Sequence, residues 1–190
     1  MIIFKSKEGA SMKKYLIIVS LVFLIGLSFS GMLWAQAKGN PPVITASFAV
    51  EKGYYGYIWK IYIEAEDPDG DMSRIAVQVD QLGYGYYPTD WTILKPPYRG
   101  KFRGYLQWNT FSSRAPYLRE WTNITLKVSI LDKAGNESNE VVFPFEFVSG
   151  APPKVRLPAP FNQEGLPRLG YIHIDLFDPT LMGADAQRDH

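Results

Sequence analysis

Cysteine is absent from the 190 residues. That excludes disulfides, thiolate nucleophiles, sulfur-ligated metals and a lipid-modified cysteine, so the fold must stand on its core alone. Histidine is nearly absent as well. The two present, His173 and His190, both lie in the C-terminal tail, which leaves no basis for a Ser-His-acid triad or a multi-histidine metal site. Excess charge of either sign is lacking, with 20 basic against 19 acidic side chains and a net charge of +1. Nucleic-acid binding needs clustered Lys and Arg, so nucleic acid is not expected as a partner. No stretch carries a convincing amphipathic helical period.

What is present is apolar, aromatic and extended. At 46% hydrophobic the chain can build one domain core with segments to spare. Its aromatics are dominated by 12 Tyr and 11 Phe, which favours strands. The N-terminus reads as a targeting segment. Lys13-Lys14 form a short basic region, Tyr15 to Leu27 an apolar run, and Ala35-Gln36-Ala37 the small-x-small pattern of a signal-peptidase site. Residues 1–37 are therefore expected to be a signal region with its true start at Met12 and cleavage after Ala37. An uncleaved anchor over Leu16 to Trp34 is the alternative. Either way the remainder is expected to be exported, to the periplasm or outside the cell. Without residues 1–37 the chain keeps 16 basic and 18 acidic side chains, a net charge of −2.

From Pro41 the pattern is strand after strand. Val43 to Val50 reads as the first. Tyr57, Trp59, Ile61, Ile63 and Ala65 then alternate with Ile58, Lys60, Tyr62, Glu64 and Glu66, and Ile75, Val77 and Val79 continue beyond an acidic turn. Further strands are predicted over Trp91 to Leu94, over Lys101 to Asn109 with Phe102, Leu106 and Trp108 on one face, and over Ile124 to Leu131. A last one carries Val141, Phe143, Phe145 and Phe147, where Pro144 predicts an edge position because it has no amide hydrogen for a ladder. About seven short antiparallel strands over residues 38–149 predict an all-β, immunoglobulin-like sandwich.

Ala65-Glu66-Asp67-Pro68-Asp69-Gly70-Asp71 and Val128-Ser129-Ile130-Leu131-Asp132-Lys133-Ala134-Gly135-Asn136 resemble the strand-end turns of bacterial immunoglobulin-like domains, a group that includes cadherin-like and PKD-like modules. The resemblance spans residues 41–149 and implies the sandwich fold. Such modules serve as spacers, adhesins, carbohydrate binders and assembly subunits, so it implies no single activity.

Sandwich topology sorts the loops into two poles. One is acidic. Asp67, Asp69 and Asp71, with Asp132 and Asn136 from the neighbouring turn, could together offer the oxygen ligands of a calcium ion. Ordinary turn chemistry, in which Asp and Asn accept from turn amides, accounts for the same residues without a metal, and Arg99 could neutralise the cluster. The other pole is aromatic. Tyr54, Tyr55, Tyr84, Tyr86 and Tyr87 form a candidate recognition surface, better suited to an envelope or extracellular protein than to carbohydrate. Tyr57 and Trp121 are expected to plug the core there instead. No catalytic residue is expected. An Asp67 and Asp132 pair could do glycosidic chemistry in principle, but turn acids are mostly structural. Asn123-Ile124-Thr125 matches a glycosylation acceptor at a strand start and is given no role.

Residues 150–190 read as a proline-rich arm. A short strand is predicted at 171–177. Its alternating Tyr171, Ile172, Ile174 and Leu176 could add to an exposed sheet edge, in this domain or in a partner. Gly183 to His190 are expected to be unstructured.

Overall fold

A computed structural model describes residues 39–115, 122–150 and 155–178. The expected signal region 1–37, Trp121 and Gly183 to His190 lie outside these. Among the described residues ten strands follow in order: β1 (Val43–Phe48), β2 (Lys52–Gly53), β3 (Ile58–Glu66), β4 (Met72–Gln81), β5 (Gly85–Tyr86), β6 (Asp90–Ile93), β7 (Lys101–Asn109), β8 (Asn123–Asp132), β9 (Val141–Phe147) and β10 (Arg168–Ile172). They form two sheets, β1-β3-β7-β10 and β2-β9-β8-β4-β5, with β6 also paired to β4. The architecture is an immunoglobulin-like sandwich.

Two long antiparallel pairs are its frame. β3 and β7 pair from Ile58↔Asn109 to Glu66↔Lys101, and β4 and β8 from Met72↔Asp132 to Gln81↔Ile124. The alternating residues turn inward as their period demands. Trp59, Ile61, Ile63 and Ala65 meet Ile75, Val77, Val79, Leu126, Val128 and Ile130 in a core whose members are all but inaccessible. Pro144 faces Thr125 of β8. Its other side is left open because β2 covers only Glu146 and Phe147, so the missing amide hydrogen costs no ladder bond.

The C-terminal arm completes this sandwich. The chain passes from β6 to β7 through a single 3₁₀ turn, Pro96–Tyr98, and β7 would be left with an open edge. β10 fills that edge as a parallel strand, with Gly170↔Leu106, Tyr171↔Gln107 and Ile172↔Trp108. The strand lies at Arg168–Ile172 rather than at 171–177, and residues 173–178 continue as irregular chain across the seam between the sheets. Ile172, Ile174 and Leu176 belong to the core, while Tyr171 stays 44% exposed.

Two glycines record how close the arm comes. A Cβ on Gly104 of β7 would sit 2.6 Å from the Pro167 carbonyl oxygen, and one on Gly170 would sit 2.4 Å from Thr92 Cγ2 of β6. β10 is therefore wedged between the edges of both sheets. Before it gets there, the proline-rich segment crosses the outer face of β3 and β7. Phe161, only 1% exposed, packs on Tyr62 at 5.7 Å between ring centroids. Tyr105 N then donates to the Pro167 carbonyl. The segment has no regular structure, as its prolines require, yet it is packed.

If the arm is core, truncating it must cost what core truncation costs. Leu176→Ala should lower the unfolding free energy by about 2–5 kcal/mol in denaturant titration. A loss below about 0.5 kcal/mol, the size expected of a surface position, would show that the arm does not carry the fold.

Candidate functional site

At the acidic pole the two turns and the 3₁₀ loop are tied together by backbone hydrogen bonds. Asp67 N donates to Gly100 O, Met72 N to Arg99 O and Lys133 N to Asp71 O. The carboxylates are mostly spent on neighbouring amides. Asp67 accepts from Asp69 N and Asp71 N, Asp132 from Asn136 N and Nδ2, and Asp69 from Asn40 N and Nδ2. Gly70 and Gly135 take φ of +70° and +91° in these turns, where a side chain would be strained.

Asp71 is the exception, because its Oδ1 is buried without a hydrogen-bond partner. Burial, then its hydrogen bond with Asp67, then the negative charges of Asp132, Asp67 and Asp69 raise its pKa. Arg99 is not among the groups that act on it, and Arg99 Nε is itself buried without a hydrogen-bond partner. Among the described residues, no group of three or more His, Asp or Glu side chains is placed to hold a metal ion. The amide bonds to Asp67 and Asp132 are the hydrogen bonds of ordinary turn chemistry.

The aromatic pole divides the five tyrosines. Tyr87 is buried, and its hydroxyl donates to Gln81 Oε1 and accepts from Phe177 N. Burial pushes that phenol up to about 12. Tyr84 stacks on Tyr87 and Phe177 at 4.7 and 4.9 Å. The Tyr55 hydroxyl donates to the carbonyls of Ser112 and Ala115 and accepts from Ser112 N. All five belong to the candidate recognition surface, and of these three Tyr87 is buried while Tyr55 and Tyr84 are half-buried against the end of the core. The packing has one physical cause for Tyr84 and Tyr87. The arm brings Phe177 to them, and a ring with an apolar partner close by is more stable packed than wet. Tyr57 packs inward as expected, stacked on Phe145.

Tyr54 and Tyr86 remain outside, 45% and 68% exposed, and two residues the sequence reading passed over join them. Leu82, before the Gly83 turn, is 71% exposed, and Phe111, beyond β7, is 56% exposed. Their signal was there in principle, as apolar residues inside loop stretches with no strand alternation to bury them. Beside them a groove of about 410 Å³ is lined by Tyr84, Asp90, Arg114, His173, Asp175 and Phe177. His173 N donates to Asp90 Oδ2, and His173 Nδ1 lies 3.7 Å from the same oxygen. The Arg114 guanidinium covers the Phe177 ring at 4.9 Å. His173 is thus a groove residue, not one in a detached tail. Ser112 Oγ donates to the Leu176 carbonyl, so that hydroxyl has a structural task.

No protein-family model matches the chain, and no curated protein does. Among solved structures it is similar to the PKD domain of an M14-like peptidase from a Thermoplasmatales archaeon, at 17% identity. That match covers 57% of this chain and 97% of the domain, with a TM-score of 0.40. It is also similar to a CARDB domain from Pyrococcus furiosus, solved in complex with di-metal ions, at 9% identity. There the coverage is 60% and 98%, and the TM-score 0.31.

A carboxyl with a raised folded-state pKa holds its proton more tightly in the folded than in the unfolded chain. Its contribution is favourable below the ordinary aspartate value of about 3.9 and is lost as pH rises through the folded value. Asp71→Asn should therefore melt on the order of 1–3 °C above the wild type at pH 7. The two should converge near pH 3. The wild-type midpoint should also be equal in excess calcium and in chelator. A calcium-dependent rise that Asp71→Asn removes would make this pole a metal site.

Proposed function

We propose that the protein is an exported, non-catalytic binding module that holds a protein partner at its aromatic pole. One observation carries this reading. Tyr54 before β3, Leu82 and Tyr86 in the β4–β5 hairpin and Phe111 after β7 stand between 45% and 71% exposed at one end of the sandwich. Water exacts a cost for such side chains, and a cluster of them at loop tips on a rigid frame is what a contact surface requires. Aromatic anchors bury much area for few lost rotamers, which favours a protein surface as the ligand.

Export is supported by the basic pair Lys13-Lys14, the apolar run after it and Ala35-Gln36-Ala37. The absence of cysteine suits either side of the membrane, so fractionation of the cells that make the protein tests this part. Recovery in the cytoplasm would overturn it.

Photo-crosslinking from the full chain in the same cells tests the pole. Probes at Tyr86 and Phe111 should give one discrete protein adduct, and a probe at the exposed Lys133 of the opposite pole should not. Leu82→Asp, on the surface, should leave the fold intact and weaken capture by roughly tenfold or more, about 1.4 kcal/mol. Equal adducts from both poles would sink the proposal. Displacement of the adduct by an oligosaccharide would replace protein with carbohydrate as the ligand.

A further inference from the structure

Residues 172–177 are held the way a bound peptide is held. Their side chains enter the sandwich at alternate positions, Ile172, Ile174 and Leu176. Their backbone is met by side chains of the body. Asp90 accepts from His173 N, Trp108 Nε1 donates to Ile174 O at 3.0 Å and Ser112 Oγ to Leu176 O at 2.6 Å. Tyr87 accepts from Phe177 N, and Gln81 Nε2 donates to Phe177 O at 2.7 Å. Of the five, Gln81, Tyr87, Trp108 and Ser112 are buried. The body thus contains a finished receptor for an extended segment, and the chain's own residues 172–177 occupy it.

The tether to that segment is short and is fixed at one point. Phe161 is clipped over Tyr62 on the outer face, and β10 begins at Arg168 on the adjoining edge. Only residues 162–167 lie between them, in a turn where Gly165 takes φ of +76°. Opening this one turn sends β10 away from its own β7 while the Phe161 clip stays in place. From this we infer that the arm exchanges between two copies of the chain, each copy's residues 168–178 seating in the receptor of the other. The occupant is a second copy because its arm makes the same contacts that the arm makes in cis, so nothing but the hinge differs between the two states. Two copies related by a two-fold axis with their β7 edges facing satisfy both receptors and close the assembly. This surface is separate from the loop tips at Leu82 and Tyr86 and goes beyond the binding reading above. Leu82→Asp leaves it untouched, so either proposal can fail without the other.

The absence of cysteine makes the test clean. Tyr171 and Gln107 are paired positions on β10 and β7. Neighbouring strands lie about 4.8 Å apart, within disulfide reach. Full-length Gln107→Cys and Tyr171→Cys chains are unfolded, mixed at high concentration, refolded and oxidised. The expected product is a covalent heterodimer whose yield rises with concentration. Lys60→Cys in place of Gln107→Cys, one strand further from the arm, should lose that product.

Monomers alone would overturn the proposal, and so would equal crosslinking through Lys60→Cys, which means mere adhesion. Oxidation in the cells that make the protein should likewise join two copies of this chain. A Tyr171→Cys adduct with a different protein would overturn the second copy as occupant. Deleting residues 163–165 should leave the arm too short to reach its own β7, and sedimentation should then find a dimer. A folded monomer from that deletion would overturn the exchange.

Discussion

The free edge of β7 is the constraint on which the rest depends. A strand whose neighbour is missing exposes a row of amides and carbonyls, and beside it the core residues Leu106 and Trp108 would meet water. The chain resolves this from its far end, with a parallel strand laid on Leu106, Gln107 and Trp108. Several residues that have no other explanation follow from that one contact. Gly104 and Gly170 are bare because the Pro167 carbonyl and the Thr92 side chain stand where their Cβ atoms would be. Phe161 is buried away from the main core because the segment leading to β10 must be held flat on the outer face. Trp108, Ser112 and Gln81 aim their donors at arm carbonyls because that arm, past Ile172, has no ladder of its own.

The same closure makes the two poles differ in kind. At the acidic pole the turn carboxylates accept from amides within four residues, apart from Asp69, which reaches back to Asn40. This chemistry is nearly complete within each turn and would exist in any sandwich with these turns. At the aromatic pole the outcome depends on a distant segment. Phe177 stacks against Tyr84, and Phe177 N donates to Tyr87. Those rings become structure, and Tyr54, Leu82, Tyr86 and Phe111 are what the closure leaves over. The groove between Tyr84, Asp90, Arg114 and His173 likewise exists only because the arm forms one of its walls.

This difference also decides what could be read in the residues alone. Alternation in β3, β4, β7 and β8 is a local signal, since a strand with one buried face needs only its own period, and Trp59 to Ala65 and Ile124 to Ile130 turned inward as that period predicts. Turn acids are local too, so the gathering of Asp67, Asp71 and Asp132 at one pole was legible. The pairing of β10 with β7 was not, because the partners Trp108 and Ile172 lie far apart in the chain and no sequence period records which edge an apolar segment will cover. Nor could the tyrosines be sorted. Glycine-flanked rings in loops look alike until the segment that packs on some of them is placed, and only then do Tyr54 and Tyr86 stand out as exposed, Tyr55 and Tyr84 as half-buried and Tyr87 as buried.

A sandwich whose β7 edge is completed by β10 has a physical consequence during folding. Until residues 168–178 arrive, the β7 edge and the receptor beside it are open to any segment that fits, including the arm of a neighbour. Which arm wins is a matter of effective concentration. A flexible tether presents its end at millimolar levels, and the penalty for lengthening it grows only slowly. The Phe161 clip shortens the free tether to residues 162–167 and so raises the local concentration of the chain's own arm. The clip forms on the outer face of β3 and β7, which pair with each other without the arm. The short tether therefore favours closure within one chain when copies are dilute. Crowding of unfinished copies shifts the same equilibrium toward exchange, with no new contact in either sandwich and only the turn at Gly165 reopened.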